Sequence, residues 1–169
     1  MEQARITCLA LLFKLSSHDS NRKVIGEKDN SILDVLTDIV NIDQGDSRLK
    51  SLDIIYKLCI EKDNRQRICS SELSLLNVLY DVALCENLEV RFKILSIMSI
   101  LLEDNVIFNS ENATKLPSCM KKMLELEFTF LKLKQEELKT AGNRLTIIEL
   151  DIINTVFTTF IIIIFKFST

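Results

Sequence analysis

The 169-residue chain is long enough for one sizeable core, and with 47% apolar and 27% charged residues it is globular rather than disordered. Three glycines and one proline fall far below the ~12% of an average protein, which excludes a turn-rich β fold and glycine-rich phosphate loops. A net charge of −3 lacks the basic footprint of a nucleic-acid binder, and the single histidine, His18, argues against zinc ligation and histidine-dependent catalysis.

The opening MEQARITCLALLFKLSS does not read as a secretory signal. Glu2 precedes its short apolar stretch, and Arg5 and Lys14 interrupt it at helical positions. His18 follows in the polar stretch SSHDSN and reads as an exposed loop residue. Five cysteines, Cys8, Cys59, Cys69, Cys85 and Cys119, form no C-x-x-C pair and sit mostly in apolar runs, so they are expected as buried small hydrophobes. Their spacing asks for no disulfide and does not reveal the redox compartment.

The chain repeats itself. Residues 5–40 align without gaps to residues 48–83 at an offset of 43, with 12 of 36 positions identical. Chance in this leucine- and isoleucine-rich composition gives about 3. The identities include Arg5/Arg48, Lys14/Lys57, Leu15/Leu58, Asn21/Asn64, Arg22/Arg65, Leu36/Leu79 and Asp38/Asp81. A third copy begins at Arg91, where FKILSIMSILL answers LKSLDIIYKLC.

Each unit reads as helices. In residues 48–60 the apolar Leu49, Leu52, Ile55 and Tyr56 make one stripe, with Lys50, Asp53 and Lys57 on the other side. NRQRI is expected as a short second helix, and SLLNVLYDVA as a third with Leu75, Leu76, Leu79 and Val82 inward. Ser31 and Ser74 are expected N-caps, since a serine hydroxyl accepts from an orphan amide. The acidic linkers NIDQGDS and LCENLE separate units. A unit of two or three helices at this period matches the armadillo and HEAT class, whose period is about 40–47 residues. The expected fold is all-α: a right-handed superhelical stack of two to three units over residues 2–111, closed by a C-terminal helical cap over 113–167.

In the cap, Pro117 suits a helix start, LPSCMKKMLELEFTFLKLKQEEL is a long amphipathic helix, Gly142 ends it, and LTIIELDIINTVF is the last helix. The apolar ending, VFTTFIIIIF, gives a weak tail-anchor alternative over 145–165. It reaches span length only by burying Glu149 and Asp151.

The order SRLKSLDIIYKLCIEK, EVRFKILSIMSILLED, LPSCMKKMLELEFTFLKLKQEEL, LTIIELDIINTVF resembles the C-terminal part of the armadillo-type nucleotide exchange factors of seventy-kilodalton (DnaK-class) heat-shock chaperones. That group has a cytosolic branch and an endoplasmic-reticulum branch serving the lumenal chaperone BiP. The resemblance covers about residues 30–157 and is one of pattern and element order. It implies a concave face that embraces one lobe of the chaperone's nucleotide-binding domain and promotes ADP release, with no catalytic residue, no cofactor and no metal. It also implies the endoplasmic-reticulum lumen, or otherwise the cytoplasm. The chain departs from the pattern by starting within the repeat array and by ending in IIIIFKFST, features expected of a fragment or an altered gene product.

Arg5, Arg48 and Arg91 recur at the start of each unit's inner helix, a possible row of donors for a partner's carboxylates or carbonyls. The expected partner-binding strip is Arg48, Lys50, Asp53 and Lys57 at the centre, continued by Arg91 and Lys93, with Lys121 on the cap outside it. Asp34 and Asp38 stand one turn apart, but Asn77 replaces the first in the next unit, so they read as an exposed polar face rather than an acid–base pair. The alternative function is a generic armadillo or HEAT scaffold, and an enzyme is the least favoured class.

Overall fold

A computed structural model describes residues 2–27, 30–69, 75–83, 88–103 and Glu125. The chain divides into two units, Met1–Ala113 and Thr114–Thr169. Of the second only Glu125 is described, so the expected cap helices, Pro117, Lys121, Gly142, Cys119 and the 145–165 segment lie outside the described residues, as do Ser74 and Cys85.

Every element described is a helix: α1 (Glu2–Leu15), α2 (Asp19–Glu27), α3 (Asn30–Ile42), α4 (Asp46–Ile60), α5 (Lys62–Ile68), α6 (Leu75–Ala83) and α7 (Leu88–Glu103). The all-α fold class is therefore the one observed among the described residues. The starts of α2 and α5 lie at the 43-residue offset, and those of α1, α4 and α7 fall within a residue of it. NRQRI lies within α5, and α6 begins one residue into SLLNVLYDVA.

The contacts follow from where the apolar residues fall. On α3, Leu33, Leu36, Thr37 and Val40 are buried at i, i+3, i+4 and i+7, while Asp34, Asp38 and Asn41 are exposed. That stripe packs α3 on α4 and α6. Helix α4 is the centre of the core, touched by α1, α3 and α7, and it buries Ser47, Ser51, Leu52, Ile54, Ile55, Leu58 and Cys59. Removing each leucine or isoleucine from water contributes about 1.5–3 kcal/mol. α7 buries Ile94, Leu95, Ile97, Met98 and Leu101 and packs on α4 and α6, while α2 packs on α5. On α6, Leu75, Leu76, Leu79 and Val82 are buried, as their spacing requires.

Three expectations need correction. The narrow stripe assigned to α4 included Tyr56, which is exposed, and left out Ile54, which is fully buried. A helix enclosed by neighbours on several sides buries a wide arc rather than a stripe. Ser31 lies inside the first turn of α3, which starts at Asn30, and is not its N-cap. Cys8 is exposed, whereas Cys59 and Cys69 are buried; all three are free thiols.

The turn into α4 explains one of the three glycines. Gly45 has φ 65°, in the left-handed region that disfavours side chains, and its carbonyl accepts from the Leu49 amide at 3.1 Å. At the far end Glu61 is extended, ends α4 and starts α5. Its amide donates to the Leu58 carbonyl at 3.3 Å.

Candidate functional site

The polar identities of the repeat hold the helix ends. Asn21 Nδ2 donates to the Leu15 carbonyl at 3.1 Å, and Asn64 Nδ2 donates to the Leu58 carbonyl at the same distance. The next residue repeats the pattern. Arg22 reaches the carbonyls of Ser16 and Ser17 at 3.3 Å each, and Arg65 those of Cys59 and Ile60 at 2.6 and 3.3 Å. A helix leaves its last carbonyls without intrahelical donors, and a cation there also complements the helix dipole. The Asn-Arg pair that opens NRQRI is thus the C-terminal cap of the preceding helix, delivered by the following one. Its signal in the sequence was a pair of adjacent polar identities six residues after a repeated leucine.

A polar seam joins α2 to α5. Asn64, only 2% exposed, also donates to the Arg22 carbonyl at 3.1 Å. Arg67 donates to the Gly26 carbonyl, and Arg22 lies 3.5 Å from Glu61. A Cβ on Gly26 would stand 1.8 Å from Asn64 Oδ1, so the seam closes only around a glycine. The buried guanidinium of Arg22 is further compensated by Asp19.

The strip expected to meet a partner is largely engaged inside the fold. Lys57 donates to Ser17 Oγ at 2.6 Å, and its ammonium stands 3.5 Å from the centre of the Phe13 ring. Lys93 is ion-paired with Asp53, joining α7 to α4. Arg48 is half-buried and donates to the Asn41 carbonyl at 3.4 Å. Arg91 is buried, at 8% exposure. Lys50 is half-buried; forty residues back, where Asp53 answers Lys93, stands Ala10. Arg5 pairs with Asp43 at 3.1 Å within its own unit. The arginine ladder therefore has three different environments, exposed, half-buried and buried, rather than one continuous row. Phe13 and Ser17, which engage Lys57, and Asn41, which engages Arg48, were missed because sequence spacing does not show which face meets the preceding unit.

Asp34 and Asp38 are exposed on α3, Asn77 is exposed on α6, and His18 is exposed between α1 and α2. Burial pushes the Cys59 thiol well above its ordinary range, helped by the neighbouring Cys69 thiol and opposed by Arg65. Burial alone pushes the Cys69 thiol up to about 12. Both are neutral packing groups, without the thiolate a nucleophile or metal ligand requires.

No helix among the described residues is long and apolar enough to cross a membrane. No family model, curated protein or solved structure matches the chain.

Proposed function

We propose that the chain is a protein-binding module of the armadillo/HEAT kind, a right-handed superhelical stack in which α1, α4 and α7 are the inner helices of successive units. One observation carries the reading. Helices related by the 43-residue offset pack on one another, α1 on α4, α4 on α7, α2 on α5 and α3 on α6, and the first two units end their inner helices with the same Asn-Arg cap. A stack of that kind presents a long surface and works by binding.

The leading specific role is that of a cofactor which binds the nucleotide-binding domain of a DnaK-class heat-shock chaperone and speeds ADP release. It rests on the resemblance in element order. Such a factor acts by preferring the open, nucleotide-poor conformer and shifting the population toward it. Arg48, Lys50, Asp53, Lys57, Arg91 and Lys93 are the proposed contact strip, with Lys50 its least committed member. The test is capture of an ADP-loaded DnaK-class chaperone followed by release of labelled ADP. Capture with accelerated release supports the exchange role. Neither capture nor acceleration leaves the generic scaffold, favoured by the internal pairing of Lys57, Asp53 and Lys93.

A further inference from the structure

Two lysines of the inner helices reach back forty residues, and they meet different kinds of group. Lys93 on α7 meets the Asp53 carboxylate on α4. Lys57 on α4 meets the Ser17 hydroxyl at 2.6 Å, in the turn between α1 and α2, and among the described residues no carboxylate pairs with it. A half-buried ammonium held on a neutral hydroxyl lacks the counter-charge present at the second junction. Ser17 is exposed, whereas Ser16, Ser47 and Ser51 are buried. That exposure does not depend on what precedes α1. Ile60, the residue 43 positions on, is 43% exposed although α4 packs on both α1 and α7. The position therefore lies on a face that neighbouring units leave open.

We propose that Ser17 is a phosphorylation site whose phosphate forms an ion pair with Lys57 and locks the α1–α2 turn onto α4. The enzyme is a serine kinase that selects a basic residue three positions before its target. Lys14 holds that place, exposed, in the last turn of α1. In the transfer, the bond from the γ-phosphorus of ATP to its bridging oxygen breaks and a bond from Ser17 Oγ to that phosphorus forms. The hydroxyl proton passes to the kinase's base, and ADP leaves. Ser17 thereby loses its donation to the Phe13 carbonyl at 3.0 Å, but Ser16 Oγ still donates there at 2.9 Å, so that acceptor keeps a partner. A phosphoserine brings a charge of about −1.5 to −2 and three acceptor oxygens to the three N–H donors of Lys57. Asp19, the nearest carboxylate along the chain, is already engaged by Arg22, whose guanidinium also donates to the Ser17 carbonyl at 3.3 Å. The end of α1 and the start of α2 present opposite dipole ends to Ser17 and offset one another, so Lys57 decides the sign. The inference does not rest on the chaperone role.

The test has two arms, both on the full folded chain. Incubated with a purified serine kinase of that specificity and labelled ATP, the protein should take label at Ser17, located by peptide mapping. Lys14→Glu should slow that labelling by about tenfold. In the second arm, protein carrying phosphoserine at position 17, incorporated during synthesis, should melt about 2–4 °C above the unmodified chain. Its phosphate, followed by phosphorus NMR, should titrate below the value of about 6 for a free phosphoserine. Both shifts should vanish in Lys57→Met and persist in Lys57→Arg. Each phosphoprotein is compared with its own unmodified form, so the cost of the lysine substitution itself cancels. Label at other positions with none at Ser17 overturns the assignment of the site. A melting point unchanged or lowered by the phosphate, or an equal gain in Lys57→Met, overturns the ion pair.

Discussion

Asn64 offers the sharpest perturbation of the seam between α2 and α5. Its amide makes two hydrogen bonds of 3.1 Å from a site 2% exposed, one to the Leu58 carbonyl and one to the Arg22 carbonyl. Leu58 retains the Glu61 amide as a donor after Asn64→Ala, so no full penalty for an orphaned acceptor arises there. Two lost buried bonds at about 1 kcal/mol each, with a small cavity added, put the cost at about 2–3 kcal/mol. Asn21→Ala is the internal control. The same residue type makes the same bond to Leu15, but it is only half-buried and makes no second bond like that of Asn64 to the Arg22 carbonyl, so about 0.5–1 kcal/mol is expected.

Gly26→Ala separates packing from helix propensity. Alanine alone should stabilise a helix interior by about 1 kcal/mol. Here its Cβ would meet Asn64 Oδ1 at 1.8 Å, so the seam must open and the substitution destabilises. In the Asn64→Ala background the obstruction is gone and the propensity gain returns. The double-mutant cycle by urea denaturation, read from the midpoint at constant slope, should show coupling of about 2 kcal/mol or more. Additive effects, or an Asn21→Ala cost equal to that of Asn64→Ala, would refute the bridging role.

Other outcomes follow from the same contacts. Lys57→Glu removes the Phe13 ring contact and the Ser17 bond and should cost about 1–2 kcal/mol in thermal or urea unfolding, whereas Lys50→Glu should leave stability within about 0.5 kcal/mol. For the proposed chaperone partner, a loss of binding with Lys50→Glu would therefore report contact, while the same loss with Lys57→Glu must first be corrected for stability. Asp53→Lys should cost about 0.5–1 kcal/mol, since its bond to Lys93 is partly solvated, and the exchanged pair Asp53→Lys/Lys93→Asp should recover most of it. The Cys69 thiol is neutral in the fold up to about 12 but ionises near 9.0 when unfolded, so stability should fall as pH rises from about 9 to 12. Cys69→Ser should remove about 1.4 kcal/mol per pH unit from that slope, and an unchanged slope would contradict burial of the thiol. In native protein at pH 8, a thiol reagent should modify Cys8 well before Cys59 or Cys69.

Much of the helical arrangement could be read from residues 5–83 because an offset alignment averages out local ambiguity. A leucine in one unit and its counterpart in the next share a buried position: Leu9 and Leu52, Leu33 and Leu76, Leu36 and Leu79 are all buried. The same averaging hid what differs between units. Tyr56 and Ile54 could not be assigned from periodicity, because on a helix with neighbours on several sides, burial is decided by which neighbour is present. Leu15 and Leu58 are identical in sequence yet 43% and 0% exposed, since only the second is covered. The partner strip failed to emerge as a free surface for a related reason. Lysines at positions 57 and 93 look solvated along a single helix, but each reaches back forty residues to a group on the previous inner helix or the loop after it. A pattern within one helix carries no information about that reach.

This suggests where specificity should be sought. Among the polar residues that recur in the first two units, Asn21/Asn64 and Arg22/Arg65 are engaged with backbone carbonyls at helix ends and serve both units alike. A residue fixed by that duty has few donors left for a partner. Polar positions that change from unit to unit, such as Thr7, Lys50 and Lys93 or Ala10, Asp53 and Ser96, are free of that demand. They include both the Asp53–Lys93 bond that joins two inner helices and the lysine, Lys50, that lacks an acid forty residues back. Lys50→Glu should therefore alter partner choice, read as altered affinity for a DnaK-class nucleotide-binding domain at unchanged stability. Arg65→Ala should act the other way, lowering the unfolding midpoint by removing the cap on α4 and weakening binding only in proportion to the fraction unfolded. A partner-binding defect of Arg65→Ala in fully folded protein would show that the capping residues, and not the varying ones, carry recognition.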